Sequence, residues 1–131
     1  MRATARRNGK DFKHDLEIRS HRVTADEPED HGGTDEGPSP QELLAASLAS
    51  CTAVTIEMYA KRKDWEIGEV VVDVDYEPAQ KGSPTKFTMA VRLPKELPQE
   101  QSERLMQIAA KCPVHRTLEG EVMFEESLEL R

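Results

Sequence analysis

The chain is poor in cysteine, poor in aromatic residues and short of positive charge. Its 131 residues include two cysteines, Cys51 and Cys112, sixty-one positions apart. Two isolated cysteines exclude a disulfide scaffold, and the four histidines, His14, His21, His31 and His115, bring no second half to a zinc site. One Trp, two Tyr and three Phe leave little bulk for wrapping a core. Lys and Arg number 18 against 25 Asp and Glu, a net charge of -7, which disfavours nucleic acid or an anionic membrane as partner. The opening Met-Arg-Ala-Thr-Ala-Arg-Arg has no apolar core of a secretory signal, so the expected compartment is the cytoplasm. No Gly-x-Ser-x-Gly elbow, phosphate-cradling glycine loop or dinucleotide fingerprint occurs, and there are no repeats.

What the chain does have is one long helical stretch ending at Arg62. Ser39 is placed to cap it, Pro40 suits its first position, and Glu42 completes a capping box. Lys61, Arg62 and Lys63 suit the negative end of the helix dipole. Between these ends small and apolar residues lie on almost every face, which predicts burial on most faces. Ser47, Ser50, Thr52, Thr55 and Glu57 interrupt the run, which argues against a membrane span. A short chain has little else to cover such a helix, so a second copy is expected to share the task.

The flanking segments read as strands. Residues 2–8 form a basic edge strand, and Asn8-Gly9 signals a hairpin turn into a strand with Phe12, His14, Leu16 and Ile18 on one face. Ser20–Thr24 extends that strand or forms a third. Asp26–Gly37, rich in Pro, Gly and acidic residues, is a loop. Alternating apolar residues from Trp65 to Tyr76, with a bulge expected near Gly68, and from Phe87 to Leu93 predict a second hairpin. A helix follows from about Gln99. Cys112-Pro113 breaks it and starts a short turn that Gly120 ends, and Val122–Leu130 reads as a last strand. Tight hairpins make antiparallel pairs, so the class is α+β in one domain spanning residues 1–131.

The two cysteines have different settings. Cys51 is mid-helix, on a face with Leu44, Ser47, Leu48, Val54, Thr55 and Met58. That setting suits a buried small hydrophobe, and a thiolate there needs a cation brought from elsewhere. Cys112 precedes a helix start whose amides favour a thiolate, with His115 and Arg116 near in sequence. From the residues alone the pair is either two inert core thiols or a redox couple.

Gly32-Gly33-x-x-x-Gly37-Pro38-Ser39-Pro40-x-Glu42-Leu43-Leu44-Ala45-Ala46-x-Leu48-Ala49-x-Cys51, followed by Lys111-Cys112-Pro113-Val114-x-x-x-Leu118-x-Gly120-x-Val122, resembles the OsmC/Ohr family, in its OsmC-related branch. The resemblance covers nearly the whole chain. It implies an OsmC-like α+β fold in which long central helices pack against antiparallel sheets in an intertwined homodimer. It also implies thiol-dependent reduction of peroxides, organic hydroperoxides preferred, without metal, haem or flavin cofactor. Cys51 matches the peroxidatic cysteine and Cys112 the resolving one. A Cys51 sulfenic acid would condense with Cys112 to a disulfide, which a dithiol of lipoyl type would reduce. Arg7 best matches the arginine that such sites use, with Arg19 and Arg22 as rivals. The family carboxylate directly after the proline is replaced by the neutral Gln41, while Glu42 falls on the opposite helix face from Cys51. The rival reading is a non-catalytic relative of the same fold that binds a small hydrophobic or thiol ligand at the dimer interface.

Overall fold

In the computed structural model, which describes residues 1–130, three N-terminal strands lead through a loop into the long helix. The elements are β1 (Thr4–Arg7), β2 (His14–Ile18), β3 (His21–Ala25), a 3-10 turn (Glu29–His31), α1 (Pro40–Arg62), β4 (Val71–Glu77), β5 (Lys86–Arg92), α2 (Gln99–Ala109) and α3 (Pro113–Glu119). The chain is α+β with antiparallel sheets. It divides into two compact units: Met1–Ala46 with Tyr76–Phe87, and Ser47–Asp75 with the chain from Thr88 onward.

In the first unit β1, β2 and β3 form an antiparallel sheet in sequence order. Its register runs from Thr4 opposite Glu17 to Arg7 opposite His14, and from His14 opposite Ala25 to Ile18 opposite His21. The separate third strand follows from a two-residue turn at Arg19-Ser20, where Arg19 takes a φ of 54°. The Asn8-Gly9 turn is wider than its sequence suggests. The Asn8 amide bonds the Lys13 carbonyl at 3.0 Å, and the Asn8 side chain donates to both Asp15 carboxylate oxygens at 3.1 and 3.0 Å.

The loop from Asp26 to Gly37 is tied around one carboxylate. Asp26 is almost wholly buried. It accepts hydrogen bonds from the Glu27 amide at 2.7 Å, the Thr34 hydroxyl at 2.9 Å and the Glu36 amide at 3.1 Å. The Glu36 amide bond is the strongest cause holding this carboxyl below its ordinary value, against the opposing effect of burial. The loop closes so tightly that a side chain on Gly33 would meet the Glu27 carbonyl at 1.9 Å, and one on Gly37 the Thr24 carbonyl at 2.5 Å. Both positions therefore demand glycine.

From this loop Ser39 starts α1 with the predicted capping box. The Glu42 amide donates to Ser39 Oγ at 3.2 Å, and the Ser39 amide donates to Glu42 Oε1 at 2.9 Å. The helix then runs 23 residues without a break.

In the second unit, α1 buries a single stripe at four-residue spacing: Leu48, Thr52, Ile56 and Ala60. Ile56 and Ala60 join Ile67, Leu105 and Ala109 in one cluster, flanked by Tyr59, Trp65, Val70, Val91, Leu93 and Leu97. α2 supplies Leu105, Ile108 and Ala109 to the interior. β4 and β5, each of which has residues in both units, pair as a two-stranded sheet, with exposed Asp73, Asp75 and Glu77 alternating with half-buried Val72, Val74 and Tyr76. The run before Val71 is extended but not a strand, and Gly68 turns it with a φ of 71° ahead of the sheet rather than bulging it.

Within the single chain α1 is covered on part of its circumference only: Val54 is 52 % and Met58 63 % exposed, on faces for which a second copy is expected. A helix apolar all round does not specify which face its own chain covers. The expected last strand is absent: residues 121–130 carry no secondary structure, and Val122, Met123, Phe124, Leu128 and Leu130 are exposed. An alternating segment becomes a strand only where another strand accepts its hydrogen bonds, and none of the described strands pairs with it.

Candidate thiol site

The second unit brings Cys51 and Cys112 together. Both are free thiols, Cys51 partly exposed and Cys112 fully buried. The two thiols are close enough that each shifts the titration of the other. Cys51 stands mid-way along α1, next to the buried stripe. Cys112 follows the turn that ends α2, with Pro113 at the first position of α3. As N-cap it points Sγ back at its own helix, where the His115 amide donates at 3.5 Å.

Two threonines on α1 act on the thiols. The fully buried Thr52 donates its hydroxyl to the Leu48 carbonyl at 2.8 Å and favours the Cys112 thiolate. Thr55 donates to the Cys51 carbonyl at 2.8 Å and favours the Cys51 thiolate.

These contacts split the two thiols electrostatically. Burial pushes the Cys51 thiol above its ordinary value, and the hydrogen bond with Cys112 raises it further, against smaller opposing effects from the Val114 amide and Thr55. At Cys112 burial also acts upward. It is outweighed by hydrogen bonds from Cys51, the His115 amide, Thr52 and the Val114 amide, and the net direction is down. Titration of one sulfur thus depends on the other.

The other residues singled out in the sequence belong to other elements. Arg7 ends β1 in the first unit, is exposed, and sends Nε toward the Lys10 carbonyl at 3.4 Å. Arg19 occupies the β2–β3 turn, and Arg22 lies 3.8 Å from Glu17. Gln41 is exposed in the first turn of α1, whereas Glu42 is engaged in the cap. His115 pairs with Glu119. Among the described residues no group of three His, Cys, Asp or Glu side chains is placed to hold a metal ion.

Thr52 is the site residue that sequence reading passed over. It appears there only as a polar interruption, although its four-residue spacing from Leu48 and Ile56 marks it as part of the buried stripe. Tyr59 is a second omission. Arg104 Nε donates to its hydroxyl at 3.0 Å, and Arg62, Lys63 and Arg104 lie 5.4 to 5.8 Å from its ring centre.

The family model described as OsmC-like protein matches residues 33–127, a span that includes both cysteines. No protein of curated function matches the sequence. Solved structures do. An osmotic-stress-induced and detoxification response protein from Psychrobacter arcticus is 25% identical, with 88% of this chain and 85% of that one covered at a TM-score of 0.73. An OsmC-like protein from Mycoplasma pneumoniae is 21% identical, with 91% and 86% covered at a TM-score of 0.76. The organic hydroperoxide resistance protein OhrB of Bacillus subtilis is 21% identical, with 92% of each chain covered and a TM-score of 0.60.

Proposed function

Because the chain belongs to the OsmC-like family, we propose that it is a thiol-dependent peroxidase acting on organic hydroperoxides. The observation that carries this reading is that Cys51 and Cys112, sixty-one positions apart, come near enough for each thiol to act on the other. Exposure favours the division of roles. A peroxide has access to the partly exposed Cys51 but not to the fully buried Cys112.

The Cys51 thiol becomes the nucleophile by losing its proton to solvent. The Cys51 thiolate attacks the terminal peroxide oxygen, the O–O bond breaks, and the leaving alkoxide takes a proton to become an alcohol. The Cys51 sulfenic acid then condenses with the Cys112 thiol, releasing water and forming the disulfide. A dithiol, of lipoyl type, returns two electrons. Arg7 is the cation proposed to orient the peroxide.

The working form is a cytoplasmic homodimer. The exposed Val54 and Met58 of α1 and the apolar segment from Val122 to Leu130 are surfaces that a second copy would cover. Helix α1 is long and apolar enough to cross a membrane by length and composition. The hydroxyls and Glu57 within it, and its stripe packed against α2, fit a globular core better.

The binding-protein alternative draws on a specific observation. Burial leads the effects on Cys51 and raises its thiol, and the groups acting most strongly on it include no cation. Consumption of cumene hydroperoxide with dihydrolipoamide as reductant separates the two readings. The peroxidase reading expects turnover that Cys51→Ser abolishes and Arg7→Ala reduces. Equal rates in wild type and Cys51→Ser would refute it.

A further inference from the structure

In a chain of net charge -7, one place in the second unit gathers positive charge that no carboxylate answers. Arg62, Lys63 and Arg104 stand 5.8, 5.7 and 5.4 Å from the ring centre of Tyr59. Arg62 and Lys63 lie at the end of α1, where the helix dipole favours cations. Arg104 has no such reason to be there, because it comes from the middle of α2. Elsewhere the chain pairs cations with acids: Arg6 and Arg22 with Glu17, Lys13 with Glu36, and Arg92 with Asp73. Among the described residues none of the three cations around Tyr59 has a carboxylate partner.

The donors are held in place as well as unanswered. Arg104 Nε donates to the Tyr59 hydroxyl oxygen at 3.0 Å, and its Nη1 donates to the Gln107 side chain at 2.9 Å. These bonds fix the half-buried guanidinium and leave its remaining N–H groups uncommitted among the described residues. Because the Tyr59 oxygen accepts from Arg104, its own proton is left for another acceptor, and none of the described residues takes it. Trp65 packs edge-on against the Tyr59 ring, with ring centres 5.7 Å apart.

We propose that Arg62, Lys63, Arg104 and the Tyr59 hydroxyl form a binding site for a phosphate group, free or as a monoester. A phosphate monoester carries about -1.5 to -2 charges at neutral pH and three strong acceptor oxygens. The planar fork of an arginine meets two such oxygens at once, and the lysine adds a point charge. A carboxylate brings a single charge and two oxygens, which leaves part of this donor set unanswered. Tyr59 lies eight residues beyond Cys51, about 12 Å along α1. The site uses neither cysteine, so it stands or falls independently of the peroxidase reading.

Trp65, the only tryptophan in the chain, reports on the site. Its fluorescence should change saturably with inorganic phosphate or with glycerol 3-phosphate at fixed ionic strength, and the tighter probe distinguishes free ion from monoester. Arg104→Gln should weaken that binding roughly tenfold or more, and Lys63→Gln and Tyr59→Phe about three- to tenfold each. Lys10→Gln, in the first unit, should leave it unchanged. The Arg104 hydrogen bond is foremost among the causes that hold the Tyr59 phenol below its ordinary value. An anion that accepts the phenol proton and answers the cations should push the phenol back up. In Tyr76→Phe, which leaves Tyr59 as the sole tyrosine, saturating phosphate should therefore move tyrosinate absorbance to higher pH. A response that sodium chloride reproduces at equal ionic strength would overturn the proposal, as would acetate binding more tightly than either phosphate. So would wild-type affinity in Arg104→Gln or, should that variant not fold, in both Lys63→Gln and Tyr59→Phe.

Discussion

Joining Cys51 to Cys112 should stabilise the chain by an amount set by the loop it closes. The cysteines are sixty-one positions apart, and their thiols are near enough to act on each other. Little native rearrangement is needed, so the dominant effect is the entropy removed from the unfolded chain. For a loop of this length that effect is about 4 kcal/mol at 25 °C. Residual helix in the unfolded state would reduce it, so the expected range is ~2 to ~4 kcal/mol. At about 3 to 4 °C per kcal/mol for a chain of this size, Tm should rise by roughly 7 to 15 °C. The assay is urea and thermal unfolding of diamide-oxidised and fully reduced protein at one fixed protein concentration, since association shifts apparent stability. Cys112→Ser treated identically should show no shift. An oxidised midpoint equal to or below the reduced one would refute the reasoning, because it would mean that the sulfurs bond only by distorting the packing around Thr52 and α3.

Two other perturbations test the surrounding structure. Ile56 is wholly buried in the cluster with Ala60, Ile67, Leu105 and Ala109, and Ile56→Ala should cost about 2 to 5 kcal/mol in urea unfolding; a loss below ~1 kcal/mol would contradict that packing. The Asp26 carboxyl is held below its ordinary value in the folded state, foremost by the Glu36 amide, so its contribution is complete above the unfolded value near 3.8 and is lost as pH falls through the lower folded value. The stability gap between wild type and Asp26→Asn should accordingly be flat from about pH 5 upward and shrink below ~4; a gap constant from pH 3 to pH 7 would show that the charge is not what ties the loop.

What the sequence makes legible here is what is decided locally. Ser39, Pro40 and Glu42 specify the start of α1 because a capping box is completed within four residues. The same holds for Pro113, which starts α3, and for the alternation of Phe87, Met89 and Val91 in β5. What depends on distant partners was hidden. Asp26 reads as one of several acids in a loop, since its partners are mainly backbone amides that only loop closure delivers. The glycines at 33 and 37 read as flexibility, whereas their role is to let two backbones touch. Thr52 could not be distinguished from Ser47 or Ser50 until packing showed it to be fully buried. The segment after Gly120 alternates well enough to predict a strand, but alternation names the apolar face and not the neighbour that accepts the hydrogen bonds.

The unbroken run of α1 also sets how the gene can change length. Twelve residues precede the cap between Asp26 and Gly37, held by hydrogen bonds to one carboxylate. From Ser39 onward the thiol, the threonine and the core isoleucine share one helical phase. A single codon inserted between Thr52 and Ile56 would turn Cys51 and Thr52 by about 100° relative to Ile56 and Ala60, and move them about 1.5 Å along the axis. Substitution within this stretch can be gradual. A change of length cannot, because the smallest step already turns Cys51 and the buried stripe out of phase with each other's partners.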